Sequence, residues 1–80
     1  MTEQQIFPGE DPKEIASILA EEYPDLHGHM TDLEIETLVD QLWKDNQNLY
    51  EFTDEQRDDF VEAGIESAQA MREHVRKAGF

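Results

Sequence analysis

The chain has no cysteine. That excludes disulfide staples, thiolate metal ligands and thiol nucleophiles. Bases are also scarce: six Lys and Arg stand against twenty Asp and Glu, a formal net charge of −14 over 80 residues. A field of that sign opposes binding to nucleic acid and to anionic membranes. It favours basic protein surfaces and speeds encounter with them. No apolar run approaches the ~20 residues needed to cross a bilayer, and no signal-peptide pattern opens the chain. A soluble cytoplasmic protein is therefore expected. No stretch of useful length alternates with period two, so strands are not expected. The only serines, Ser17 and Ser67, fall inside predicted helices without a glycine elbow, and His27, His29 and His74 lack the sequence context of a base. A chain this short buries only about 60% of its unfolded surface, which leaves a thin core and little room for a deep pocket. The expectation is a protein without enzymatic activity and without a cofactor.

What is present is helical period. From Thr53 to Ala78, apolar or small residues recur at Phe60, Gly64, Ala68, Met71, Val75 and Ala78, with Val61 and Ile65 beside them. Steps of four and three keep them on one stripe. Thr53 with Gln56 has the form of a capping box. A long helix over 54–78 follows. An earlier helix over 12–22 is expected from Asp11 as N-cap, Pro12 at the first helical position, Glu14 completing a box and Pro24 as stop. Its predicted core face is Ile15, Ile18 and Leu19, with Tyr23 one turn on. A middle helix over 32–45 is expected from the Thr31/Glu34 box, with Met30 packing on Ile35 as a staple. Its predicted core face is Ile35, Leu38, Val39 and Leu42, with Leu33 and Trp43 on the edges. The fold class is all-α: a three-helix domain over 11–80 preceded by a flexible arm, 1–10, whose Ile6 and Phe7 are candidates to dock on the body.

Two connections carry residues that could bind a metal. His27 and His29, with Asp25 and Asp32 nearby, lack a third imidazole or thiolate, and no metal site is assigned. The stretch from Asp45 resembles a calcium loop briefly, but Tyr50 stands where the sharp turn needs Gly and Gln56 where the bidentate Glu belongs. Leu49, Tyr50 and Phe52 are instead expected to cover one end of the core.

The acidic residues form a pattern. Residues 1–70 hold nineteen acids and three bases, a net of −16, whereas residues 71–80 hold one acid and three bases, a net of +2. Glu36 and Asp40, Glu55 and Asp59, Asp58 and Glu62, and Glu62 and Glu66 are like charges four apart, each pair destabilising an isolated helix by about 0.2–0.5 kcal/mol. Arg72, Arg76 and Lys77 suit the C-terminal end of the helix dipole. Capping accounts for the ends of the long helix and leaves its acidic middle unexplained. Carboxylates one turn apart repeat every ~5.4 Å, similar to but not equal to the ~3.4 Å advance of phosphates along DNA. The expected partner-binding residues are Glu34, Glu36, Asp40, Glu55, Asp58, Asp59, Glu62 and Glu66, facing a basic surface of the kind that normally holds nucleic acid. By composition, the chain is similar to acidic DNA-mimic inhibitors of host defence nucleases encoded by phages. Solubility alone and a halophilic solvent shell are the competing accounts of the charge. Ala63, Gly64, Ala68 and Ala70 are small enough to let another helix approach closely. Packing by the middle helix of the same chain is the simpler account, and a homodimer through 54–78, which would bury Phe60, Met71 and Val75 more fully, is the expectation set against it.

Glu14-Ile15 followed by Leu19, then Tyr23-Pro24-Asp25-Leu26, then Thr31-Asp32-Leu33, resembles the first half of the IscX family. Those are small acidic helical accessory proteins of iron–sulfur cluster assembly. The resemblance covers roughly residues 12–42. It implies a winged-helix-like helical fold, binding to the basic surface of a cysteine desulfurase, and weak iron binding through acidic residues. Two stretches depart from the family: Asp45-Asn46-Gln47-Asn48 replaces an Asp-Asp-Pro run, and Thr53-Asp54-Glu55-Gln56 replaces a Ser-Asn-Glu-Lys type start to the last helix. No iron-binding residue is carried over.

Overall fold

The computed structural model describes residues 10–79, and the expected arm, with Ile6 and Phe7, lies almost wholly outside them. Three helices are present: α1 (Pro12–Glu21), α2 (Asp32–Asn46) and α3 (Asp54–Lys77). Among the described residues all regular structure is helical. The starts fall at the predicted caps. At α2 the box is reciprocal: Glu34 N donates to Thr31 Oγ1 and Thr31 N donates to Glu34 Oε1, both at 3.1 Å. At α3, Thr53 N donates to Gln56 Oε1 at 2.8 Å, while Gln56 N donates to the Thr53 carbonyl at 3.0 Å. At α1 the expected box with Glu14 is replaced by a simpler cap in which Asp11 Oδ1 accepts from Lys13 N at 3.0 Å.

All three helices converge at Gly64. A Cβ there would lie 2.7 Å from Val39 Cγ1 of α2 and 3.6 Å from the Ala16 Cβ of α1. That close approach decides which face of α1 is buried. The buried residues are Pro12, Ala16 and Ala20, not the predicted Ile15, Ile18 and Leu19. Ile15 and Leu19 pack at the margin, and Ile18 is exposed. Only a small side chain fits where α1 lies against Gly64 of α3, so the larger residues are turned to the flanks. Of the small residues of α3, Gly64 and Ala68 are buried within the chain, Ala63 is half-buried and Ala70 is exposed; α1 packs on α3 more extensively than α2 does.

The face of α2 is also rotated. Ile35, Leu38, Val39 and Trp43 are buried, Leu42 is half-buried, and Leu33 is exposed. Trp43 moves from predicted edge to core because the 47–52 connection brings aromatic partners to it. Phe52 stacks on Trp43 with ring centroids 6.0 Å apart, Phe60 meets it edge-on at 5.4 Å, and Tyr50 stacks on Phe52. Such pairs add to the area each ring buries. On α3, Phe60, Gly64 and Ala68 are buried, Met71 and Val75 are half-buried, and Ala78 is exposed. The apolar stripe therefore runs out of core toward the C-terminus.

Candidate interaction surface

The bases are mostly committed to neighbours. Arg57 of α3 donates to Asp40 of α2 at 2.8 Å, and Lys44 pairs with the same carboxylate at 3.1 Å. Arg72 pairs with Asp32 at 2.9 Å and also donates to the Met30 carbonyl at 2.9 Å. Arg76 pairs with Glu73 and donates through Nε and Nη2 to the Gly28 carbonyl at 3.2 and 3.1 Å. The Asp40–Arg57 and Asp32–Arg72 bridges fix α2 antiparallel to α3. The two carbonyl contacts tie the 22–31 connection to the last turns of α3. Among the described residues, four of the six Lys and Arg are thus in ion pairs, all with Asp32, Asp40 or Glu73.

The expected partner-binding residues divide accordingly. Glu55, Asp58, Asp59, Glu62 and Glu66 all lie on the side of α3 turned away from Phe60, Gly64 and Ala68, and all are exposed. They make no ion pair or hydrogen bond among the described residues. Glu36 is likewise exposed, on the flank of α2 between its two bridges to α3. Asp58, Glu62 and Glu66 edge an open groove with Arg57 and the half-buried Val61 and Ile65. Asp40 is different: the guanidinium of Arg57, and then the Lys44 ammonium, hold its carboxyl below the usual Asp range. It is an anchor more than a free charge. Glu34 stands apart as well. It lies on the other flank of α2, and its carboxyl is lowered first by the Thr31 backbone N–H of the capping box.

Sequence reasoning missed two roles. Arg57 neutralises Asp40, so the like-charge cost expected between Glu36 and Asp40 is offset. Arg72 and Arg76, assigned only to the helix dipole, are long-range anchors for a connection more than 40 residues earlier. Their spacing of one turn at the end of the apolar stripe was the available signal. In that connection His29 N donates to His27 Nδ1 at 3.2 Å, which uses one imidazole nitrogen locally. Among the described residues no group of three or more His, Cys, Asp or Glu side chains converges as a metal cage. No described helix is long and apolar enough to cross a membrane.

Comparisons with known proteins match no family model, no curated protein and no solved structure.

Proposed function

We propose that this is a non-enzymatic acidic interaction protein of the cytoplasm. Its α3 face binds a basic protein surface that normally holds nucleic acid, and blocks it. The single observation that carries this reading is the division of charge. Among the described residues, Lys44, Arg57, Arg72 and Arg76 are held in ion pairs with Asp32 and Asp40 of α2 and Glu73 of α3, while Glu55, Asp58, Asp59, Glu62 and Glu66 have no such partner on one exposed face. Exposed acids without an ion pair also lie elsewhere, among them Glu14, Glu21, Glu22, Asp45 and Glu51. The α3 face, however, gathers five such acids within twelve residues, at a repulsive cost that solubility alone does not require. A dense row of like charges on one helix face attracts a basic partner to that face. An inhibitor of a host defence nuclease that mimics DNA fits this chemistry.

The resemblance to iron–sulfur accessory proteins supports a second reading, binding to a cysteine desulfurase. Two residues that carry it, Tyr23 and Leu26, pack against the core, so the charge division is the stronger support. Affinity capture from host lysate at physiological salt tests the choice. The expected catch is one nuclease, polymerase or DNA-binding regulator, released by raised salt and displaced by duplex DNA. Capture of a desulfurase that DNA does not displace would replace this reading with the second.

A further inference from the structure

The flank of α2 beside the 22–31 connection has a feature that charge does not explain. Leu33 is 70% exposed, the most exposed large hydrophobic side chain among the described residues. It borders an open groove of about 510 Å³ whose apolar lining includes Tyr23, Met30 and Leu38. Asp25 and Glu34 stand in the same lining. The capping box pins the Glu34 carboxylate, since Oε1 accepts from Thr31 N. The lining runs along α2 from Leu33 to Gln41, eight steps, or about 12 Å, which is the length of two turns of a partner helix. An open apolar trough of this length suits the face of a helix anchored at one-turn spacing.

We infer that this groove receives a short amphipathic helix of a partner, with apolar residues at one-turn spacing over Leu33 and Leu38 and Lys or Arg flanking them toward Asp25 and Glu34. This rests on the reading of the partner as basic, and adds to it a second, apolar contact on another face. Charge complementarity selects the occupant. A second copy would set Asp25 and Glu34 against their own equivalents and bring two chains of net charge −14 together. Residues 1–9 of this chain supply Ile6 and Phe7 but contain no Lys or Arg. A basic amphipathic helix satisfies both the apolar lining and the carboxylates.

The test uses the full chain and a fluorescein-labelled lysine–leucine peptide of about four turns, with its leucines on one helical face. A peptide of equal composition with dispersed leucines is the control. Fluorescence anisotropy is expected to show tighter binding of the one-faced peptide. Leu33→Ser should weaken it about tenfold while leaving the control peptide and the thermal midpoint unchanged, because Leu33 is already in solvent. Asp25→Asn with Glu34→Gln should flatten its salt dependence, and Gln at position 34 keeps the capping box. Equal binding of the two peptides, or no effect of Leu33→Ser, overturns the groove. If Asp58→Asn/Glu62→Gln/Glu66→Gln then still loses the basic partner, the α3 reading stands without it. Tighter peptide binding by Ile6→Ser/Phe7→Ser would assign the groove to the chain's own N-terminal segment. A dimer mass in light scattering that Leu33→Ser abolishes would assign it to a second copy. Either result overturns the inference.

Discussion

Gly64 is where the packing is tightest. Its missing Cβ lets Val39 and Ala16 reach α3 together. Gly64→Ala should therefore destabilise the fold by about 1–3 kcal/mol, as overpacking does, in urea unfolding followed by Trp43 fluorescence. Adding Val39→Ala should recover part of the space. An unchanged midpoint for Gly64→Ala would show that Val39 moves aside freely. Glu51 is strained in the opposite sense. It has φ of 55°, in the left-handed region, where Phe52 N donates to the Gln47 carbonyl at 2.9 Å and Glu51 N to the Asn48 carbonyl at 3.4 Å. That pattern closes a helical turn and favours glycine at the left-handed position. Glu51→Gly should stabilise by about 0.5–1 kcal/mol, relief of strain exceeding the added freedom of the unfolded chain. A lower thermal midpoint would contradict it. Neither residue was legible as such in the sequence. Gly64 reads as one of several small residues in a stripe, and Glu51 as one acid among twenty.

Helix existence and helix starts were legible because capping is local. Asp11, Thr31 and Thr53 sit beside the backbone groups they serve, so a few consecutive residues carry the signal. Helix faces were less legible because they depend on a neighbour. The apolar moment of α1 pointed through Ile15, Ile18 and Leu19, yet it is Ala16, beside Gly64, and Ala20, one turn on, that are buried. Trp43 was buried by aromatics from a connection, which periodicity within α2 does not report. The anchoring of the 22–31 connection by α3 is testable at this scale. Arg72 is only 15% exposed at its side chain. Arg72→Met keeps the apolar stem and removes the bonds to the Met30 carbonyl and Asp32. It should cost about 1.5–3 kcal/mol and speed hydrogen exchange at the Met30 amide, which donates to the His27 carbonyl. Exchange unchanged at Met30 would mean the connection is held by its own turns.

At the scale of the whole molecule, net charge was readable from composition and the candidate face from helical spacing. The division of charge was not, because it depends on which carboxylates the arginines reach across the fold. Asp40 and Glu34, grouped with the α3 acids by sequence, proved to have local partners. Glu55, Asp58, Asp59, Glu62 and Glu66 did not. Their mutual repulsion on α3 works against folding, so a surface kept for binding and a surface tuned for stability make opposite predictions. The deciding measurement is a paired one on Asp58→Asn/Asp59→Asn/Glu62→Gln/Glu66→Gln: affinity for the captured partner, and the thermal midpoint at the same salt. Binding should be lost while the midpoint holds or rises. Binding retained by that variant would contradict the account, whatever its stability.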